Sequence, residues 1–280
     1  MVINMKVIGI GDNVVDKYLH LNKMFPGGNA LNFAVYAKKL GVPSAYIGVF
    51  GNDKAGTHVK NSLLDFDIDI SHCKTYEGEN GAAEVSLVDG DRVFVGSNGG
   101  GVSKEYPLKF DKDDLEYIKQ FDLIHTSCFS FIEEELPTLS ELGIPISFDF
   151  SKNYDENYLN QVCQYIDFAF LSCGQLTEKK TKEKLNQVYK KGCKYVLGTR
   201  GIEGAFLLYN NELFYQEANK VEPIDTLGAG DSFITVFLIE IINSAKVTEE
   251  VIKRGLKKAA DYASKTCLIN GAFGYGKIIK

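Results

Sequence analysis

The stretch from Asp225 to Asp231 reads Asp-Thr-Leu-Gly-Ala-Gly-Asp, so two carboxylates bracket a glycine-rich turn. An almost wholly apolar run, 232–242, follows at once and predicts a buried helix that begins near Asp231. A helix N-terminus favours negative charge, so the amides of Gly228, Ala229 and Gly230 are expected to converge on an anion. Asp231 would then accept the proton of an attacking hydroxyl while the amides stabilise a transferring phosphoryl group. The alternative is a glycine-rich loop in which Asp231 is an ordinary N-cap.

Two further carboxylates follow the first predicted strand, 6–11. Asp12 stands at the carboxyl end of this strand, and Asp16 comes four residues later. Each carboxylate can accept two hydroxyl hydrogen bonds, which suits a polyol ligand, and a solvated turn is the alternative. The segment from Gly9 nearly matches a dinucleotide-binding fingerprint. However, Val14 occupies the third glycine position and no helix is predicted before Gly28, which argues against that fold.

Paired glycines mark the entrance to the first predicted helix. A short strand is predicted over 18–21, and Pro26-Gly27-Gly28 then predicts a sharp turn into a helix over 29–40. Gly27 and Gly28 leave the backbone bare, so a ligand can approach closely. Asn32, one turn into the helix, is expected to face the same ligand. Capping of the helix is the alternative role for Asn32.

The bulk composition sets limits on the class of protein. The chain has 280 residues, 45% of them hydrophobic and 24% charged, which is ordinary for a globular protein with a sizeable core. Its net charge of −6 argues against a nucleic-acid or anionic-membrane partner. Its six cysteines lack metal-site spacing, and neither a signal peptide nor an apolar run of membrane-spanning length is visible. These features predict a cytoplasmic protein with reduced thiols.

The second half of the chain alternates strands with helices. Strands are predicted over 123–128, 146–150, 168–172 and 195–198, with a helical stretch after each of the first three. This alternation predicts a mostly parallel sheet with helices on both faces, in which ligands bind at the carboxyl ends of the strands. Antiparallel strands over 205–209 and 213–216 lead into the motif at 225–231. A last helix is predicted from Thr248 to about Leu268.

Alternating apolar and polar residues over 84–88 and 92–95 predict a hairpin, with a turn at Asp89-Gly90. A hairpin that interrupts a β/α series is expected to stand outside the main sheet and to pair with the strand at 18–21. Such an appendage is suited to act as a lid or a dimer surface.

Three features together resemble the ribokinase or PfkB family of carbohydrate kinases. They are Gly27-Gly28 with Asn32, Thr199-Arg200-Gly201 with Gly204, and the segment 225–231. The resemblance covers essentially the whole chain. It implies a single domain, 1–280, with a three-layer α/β/α ribokinase-like fold and a small β-sheet lid formed by about 14–26 and 76–100. In many members that lid also forms a homodimer contact, and ATP is the phosphoryl donor.

The resemblance assigns roles by position. Asp231 corresponds to the catalytic base, and Gly228, Ala229 and Gly230 to its anion hole. The predicted sugar-binding residues are Asp12, Asp16, Gly27, Gly28, Asn32 and, from the lid, Arg92. The predicted nucleotide-binding residues are Thr199, Gly201, Gly204, Thr226, Gly228, Gly230, Asn270 and Gly271.

The resemblance also implies Mg²⁺, for which Glu178 and Asp225 are the assigned residues. Many members carry an Asn-x-x-Glu segment that organises Mg²⁺ and phosphate through water. Here Gln175 replaces the Asn, and Gln keeps the amide but adds a methylene. Mg²⁺ usually keeps several waters, so the requirement for the metal is expected to survive. A requirement for a monovalent cation is left open.

Within the family, the segments 11–16, 27–32 and 91–94 look most like those of the fructoselysine 6-kinases. These enzymes phosphorylate the sugar O6 of a glycated lysine, and acidic Asp12 and Glu84 would suit such a cationic sugar amine. The expected substrate is therefore a small sugar or sugar amine. A fructokinase or ribokinase acting on a plain ketose or pentose is the nearest alternative. An inactive protein that binds nucleotide or sugar is the alternative from another class.

Overall fold

The central strands of the main sheet are apolar on both faces, which requires cover on both sides. Val7, Leu123 and Phe168 point into one core, and their neighbours Ile8, Ile124 and Ala169 point into another. The computed structural model describes residues 5–88 and 91–279, except for the side chains of 87, 88 and 91–93. The main-sheet strands are β1 (Val7–Gly11), β4 (Ser44–Gly51), β5 (Lys74–Tyr76), β8 (Leu123–Ser127), β9 (Ile146–Asp149), β10 (Phe168–Ser172), β11 (Tyr195–Thr199), β12 (Ala205–Tyr209) and β13 (Glu212–Gln216).

The main sheet is mostly parallel, with the order β13-β12-β11-β10-β9-β8-β1-β4-β5. Within the described residues, its antiparallel pairs are β11–β12 and β12–β13. The parallel strands β1, β8, β9, β10 and β11 therefore end at one edge of the sheet, where the loops of the candidate site begin.

Helices cover both faces and give the predicted three-layer α/β/α architecture. The helices are α1 (Asn29–Lys39), α2 (Lys54–Asp65), α3 (Val102–Glu105), α4 (Lys112–Ile118), α5 (Leu136–Ser140), α6 (Glu156–Val162), α7 (Glu178–Tyr189), α8 (Ala229–Ile242) and α9 (Glu249–Thr266). Helices α4 to α7 pack on one face of the sheet. Helices α1, α2, α8 and α9 pack on the other.

A second sheet of five strands stands apart from the main sheet, in the order β14-β3-β2-β6-β7. Its strands are β2 (Val14–Tyr18), β3 (Lys23–Gly27), β6 (Ala82–Val88), β7 (Asp91–Ser97) and β14 (Lys277–Ile278). Strands β6 and β7 form the predicted antiparallel pair, and β6 pairs with β2 instead of with a strand over 18–21. The predicted turn at 89–90 lies outside the described residues. We call this sheet the small sheet.

Local boundaries differ from the predictions at two places in the small sheet. The prediction of a strand over 18–21 is wrong. The strand is β2, which ends at Tyr18, and residues Leu19–Leu21 form a 3-10 helix. The sharp turn predicted at Pro26 is also wrong, since Pro26 and Gly27 belong to β3. The apolar residues misled in the first case and the Pro-Gly-Gly turn signal in the second. The strand β2 includes charged Asp16 and Lys17, and a proline is tolerated in a strand where its missing N–H leaves the ladder intact.

No helix in the described part of the chain is long and apolar enough to cross a membrane. Cys73, Cys128, Cys163, Cys173 and Cys193 form no disulfide within the described part of the chain.

Helix α1 lies so close to β1 that only glycine fits at position 9. A Cβ on Gly9 would lie 2.2 Å from the carbonyl oxygen of Ala30. We expect Gly9→Ala to lower the free energy of unfolding by about 1–3 kcal/mol through overpacking. Gly174→Ala is the matched control, because no atom lies within 4 Å of a Cβ at Gly174. Urea denaturation measures both variants, and equal midpoints would show that α1 can shift freely.

Candidate active site

Helix α8 begins at Ala229, two residues before the predicted start near Asp231. Gly228 is its N-cap, with a φ of +74°, and Asp231 is the third helical residue. The alternative in which Asp231 is the N-cap is therefore wrong. The N–H groups of Gly228 and Gly230 donate no hydrogen bond to any described residue. The N–H of Ala229 donates to the Thr226 carbonyl at 3.3 Å. Gly230 is exposed, so open amides face solvent at a helix N-terminus, as an anion hole requires.

Asp231 lies beside these amides, and its carboxylate is held by a side chain of α1. Asn32 Nδ2 donates to Asp231 Oδ2 at 2.6 Å. Burial, followed by the negative charge of Asp149, raises the pKa of Asp231 to about 8. A carboxylate with this pKa can take and hold a proton near neutral pH, which is the property of a general base.

Asn32 is almost fully buried, at 3% exposure. Its Oδ1 has no hydrogen-bond partner among the described residues. The structure therefore brings two predicted residues, Asn32 and Asp231, into direct contact and leaves one amide oxygen available to a hydroxyl donor.

Asp149 is a site residue that the sequence reasoning missed. It ends β9 and is nearly buried, and its Oδ2 accepts from Asn29 Nδ2 at 2.7 Å. Its Oδ1 accepts from the N–H of Ser151 at 2.8 Å. Burial is the largest cause that raises the pKa of Asp149, to about 6. Its position at the carboxyl end of a predicted parallel strand was the available signal.

Asp12 is already occupied by protein donors. Its Oδ2 accepts from the N–H of Asn29 at 2.6 Å, and its Oδ1 accepts from Ser127 Oγ at 2.8 Å and Ser130 Oγ at 3.0 Å. The N–H of Ala30 also donates to Oδ1, at 3.2 Å. Asp12 therefore anchors the N-terminus of α1, the last residue of β8 and Ser130 in the loop that follows. These contacts fill the acceptor positions that its predicted role in sugar binding would use, and that role stays a prediction.

Gly27 and Gly28 make room for the acidic residues. A Cβ on Gly27 would lie 2.6 Å from Asp16 Oδ2. Gly28 has a φ of +117°, and a Cβ there would meet the Asp12 carbonyl oxygen at 2.7 Å. Asp16 is buried, and its charge is close enough to contribute to the raised pKa of Asp231. The structure thus gathers these predicted sugar-binding residues around the N-termini of α1 and α8.

The Asp225 carboxylate accepts hydrogen bonds from three separate parts of the chain. Tyr18 of β2 donates to its Oδ2 at 2.5 Å, as does the N–H of Gly271 at 2.9 Å. The N–H of Leu227 donates to its Oδ1 at 2.7 Å. This carboxylate therefore fixes the loop before α8 to the small sheet and to the C-terminal segment.

The predicted nucleotide-binding residues lie on loops that follow β11 and flank α8. Thr199 ends β11, and Gly201 and Gly204 follow it with φ values of +58° and +83°. Thr226 and Asn270 are exposed, and Gly271 is held by Asp225. A Cβ on Gly204 would lie 2.1 Å from the Gln216 carbonyl oxygen, so that glycine is required by packing. Contact with a nucleotide remains a prediction for all of them.

The two residues assigned to Mg²⁺ differ in their suitability. Glu178 begins α7 with an exposed carboxylate that pairs with Lys182 Nζ at 2.5 Å, and it fits a site in which Mg²⁺ keeps most of its waters. Asp225 does not fit, because protein donors occupy both of its oxygens. Gln175, which takes the place of the Asn in the family segment, donates its Nε2 to the Tyr154 hydroxyl at 2.5 Å. Among the described residues, no three His, Cys, Asp or Glu side chains form a metal-binding group.

Two expectations concern the small sheet. Arg92 lies on β7, but its side chain is outside the described part of the structure, so its contact with a sugar stays a prediction. Glu84 is the cross-strand neighbour of Lys17, one position beyond Asp16 on β2. Successive side chains of a strand point to opposite faces, so Glu84 lies on the face away from Asp16. The expectation that Glu84 serves the sugar site is therefore wrong.

Known proteins share the sequence pattern of this chain. Residues 3–270 match the sequence model of the pfkB family carbohydrate kinases. The fructosamine kinase of Bacillus subtilis strain 168 is 44% identical over 273 residues, which cover 97% of this chain and 94% of that protein. The fructoselysine 6-kinase of Escherichia coli K12 is 35% identical over 264 residues, which cover 94% of this chain and 98% of that protein.

Solved structures share the fold. The ribokinase of Arabidopsis thaliana, complexed with ribose and ATP, matches with a TM-score of 0.80 and 20% identity, over 97% of this chain and 95% of that one. A putative ribokinase from E. coli gives a TM-score of 0.80 at 22% identity, over 96% of this chain and 94% of that one. The predicted ribokinase-like fold is confirmed.

Proposed function

Because the chain belongs to the pfkB family of carbohydrate kinases, we propose that it transfers the γ-phosphoryl group of ATP to a hydroxyl of a sugar amine of the fructoselysine type. The observation that carries this proposal is the position of Asp231. Its carboxylate lies on the first turn of α8, where the N–H groups of Gly228 and Gly230 are open. A base and an anion hole thus stand side by side.

The proposed reaction uses these groups in one step. Asp231 takes the proton of the sugar hydroxyl as that oxygen attacks the γ-phosphorus, and the bond from phosphorus to the ADP oxygen breaks. The open amides of α8 hold the equatorial phosphoryl oxygens, where negative charge develops. Asn32 orients the Asp231 carboxylate, since its amide donates to Oδ2. Mg²⁺, when bound near Glu178, would supply further charge neutralisation on the phosphates.

Two observations favour a sugar amine over a neutral sugar. The two most similar relatives described above act, by name, on fructosamine and fructoselysine. In addition, none of the ion pairs among the described residues includes Asp12, Asp149 or Asp231. Asp12 and Asp149 lie close enough to Asp231 for their charges to act on it, and a site with these three acids, which form no ion pair among the described residues, is suited to a ligand that carries positive charge.

A sugar panel tests the proposal. We expect Mg²⁺-dependent ADP release with fructoselysine at a kcat/KM at least about tenfold above that for fructose, because one charge-assisted hydrogen bond to the amine contributes about 1.5–3 kcal/mol. The panel also contains glucoselysine and ribose, and NMR of the product identifies the phosphorylated carbon, expected to be C6. A preference for fructose or ribose would instead indicate a plain ketose or pentose kinase. Absence of ADP release with every sugar would indicate a binding protein.

The homodimer contact through the small sheet also stays a prediction. Its edge strand β7 exposes Phe94 and Val95, at 57% and 51%. Exposed apolar side chains on an edge strand are a frequent feature of protein interfaces, and they support this prediction.

A further inference from the structure

Two asparagines on α1 hold two carboxylates from different elements. Asn29 donates to Asp149 Oδ2 at 2.7 Å, and Asn32 donates to Asp231 Oδ2 at 2.6 Å. Residues three apart on a helix have Cβ atoms about 5–6 Å apart on the same face. The carboxylates of Asp149 and Asp231 are therefore neighbours across one turn of α1.

Asp149 cannot move away from this position without cost. Its second oxygen is bound to the N–H of Ser151, which has a φ of +50°, a conformation that costs energy for a residue other than glycine. Asn29 is fixed as well, because its N–H is held by Asp12. The geometry places a fixed negative charge beside the carboxylate that takes the proton.

We propose that Asp149 is a positioning residue that holds Asn29 in place and, through its negative charge, keeps the Asp231 carboxylate a strong base. This inference rests on the proposed role of Asp231 in phosphoryl transfer. Asp149 touches no reacting atom in this account. It acts on the reaction only through Asn29 and through its electric field at Asp231.

The order in which the groups lose their protons supports this role. The pKa of Asp149 is about 6 and that of Asp231 about 8, so Asp149 is already charged when Asp231 titrates. The other titratable groups that act on the pair are Asp12 at the end of β1, Asp16 on β2, Tyr36 on α1 and Cys128 after β8. Burial raises the pKa of Tyr36 and of Cys128, so both stay neutral across this range.

The test is the pKa of Asp231 in the protein without sugar or nucleotide. Carboxyl ¹³C NMR follows the titration, and the Asp231→Asn variant identifies the resonance. Asp149→Asn removes the charge and keeps the shape, and we expect it to lower the pKa of Asp231 by about one to two units. Asp149→Glu keeps the charge and should leave the pKa within about half a unit of the wild-type value.

Asp155→Asn is the matched control for a lost charge in the same loop. Asp155 is exposed and caps α6 with its Oδ1, an atom that Asn retains. We expect the pKa of Asp231 to be unchanged in this variant. An unchanged pKa in Asp149→Asn as well would overturn the proposal, even if that variant were less stable or less active.

The kinetic readout separates this inference from the proposed function. With an active sugar, the acid limb of kcat/KM against pH should move to lower pH in Asp149→Asn by the shift seen in NMR, because a base with a lower pKa is deprotonated at lower pH. A purely structural role would lower kcat/KM without moving that limb. If no sugar is phosphorylated, the proposed function fails, while the NMR titration still decides the effect of Asp149 on Asp231.

Discussion

Asp231→Asn is expected to lower turnover by about two to four orders of magnitude, because the amide cannot take the proton of the sugar hydroxyl. The variant keeps the shape of the side chain, and Asn32 can still contact its oxygen. Steady-state ADP release with the preferred sugar measures the effect. KM for the sugar should change little, since the contact is needed for the chemical step more than for binding. Turnover within about threefold of the wild type would remove Asp231 from the reaction.

The stability of the same variant supplies its folding control. The pKa of Asp231 is raised in the folded protein, to about 8, against an ordinary 3.8. An acid with a raised pKa destabilises the fold progressively as pH rises from its unfolded to its folded pKa. Asp231→Asn should therefore be at least as stable as the wild type, and its advantage in Tm should grow between pH 4 and pH 8. A less stable variant would mean that the charge has a stabilising partner.

Gly228→Ala is expected to lower kcat by about two to three orders of magnitude, which is the usual cost of losing a donor in an oxyanion hole. Gly228 has a φ of +74°, and a Cβ there would lie 2.5 Å from the Tyr36 hydroxyl and 2.6 Å from the Ala272 Cβ. The Tyr36 hydroxyl donates to the Ala272 carbonyl in a buried contact, so neither neighbour can yield easily. The loop must move, and the amides of α8 move with it.

Gly230→Ala is the matched folding control for Gly228→Ala. No atom lies within 4 Å of a Cβ at Gly230, and Ala is favoured over Gly inside a helix. Thermal unfolding should show a Tm equal to or above the wild-type value for Gly230→Ala and a lower Tm for Gly228→Ala. Wild-type turnover in Gly228→Ala would show that the placement of these amides is irrelevant to the reaction.

Much of the architecture was predictable because the parallel strands are short, apolar and separated by helices. The strands at 168–172 and 205–209 have the predicted bounds, since apolar side chains cover both of their faces. The small sheet was harder to predict. Strand β2 carries Asp16 and Lys17, and its neighbours β6 and β3 supply the pairing that keeps these residues extended. Pairing between distant segments overrides local propensity there.

In the candidate site, too, features with a local sequence signal were predictable and contacts between distant residues were not. Asp231, Gly228 and Asn32 were predictable because a glycine-rich helix start and a paired-glycine helix entrance have a local sequence signal. The contact of Asn32 with Asp231 joins residues 199 positions apart, and the role of Asp149 depends on Asn29, 120 positions away. Only the fold brings such pairs together.

The glycines near the start of the chain needed the structure for their explanation. Gly9 and Gly11 resemble part of a dinucleotide-binding fingerprint, but each is required by packing. A Cβ on Gly9 would meet α1, and one on Gly11 would lie 2.0 Å from Ser130 Oγ. Similarly, Asp225 was assigned to a metal from its place in the motif, whereas the structure surrounds it with hydrogen-bond donors. The sequence shows that a carboxylate is present but does not show what faces it.

A crystal structure of the protein with fructoselysine and a non-hydrolysable ATP analogue in Mg²⁺ tests the central claim most directly. We expect the O6 hydroxyl to lie about 2.6–3.2 Å from the Asp231 carboxylate. We also expect the terminal phosphate to lie against the N–H groups of Gly228 and Gly230. A sugar bound with every hydroxyl remote from Asp231, or a terminal phosphate bound away from the start of α8, would contradict that claim.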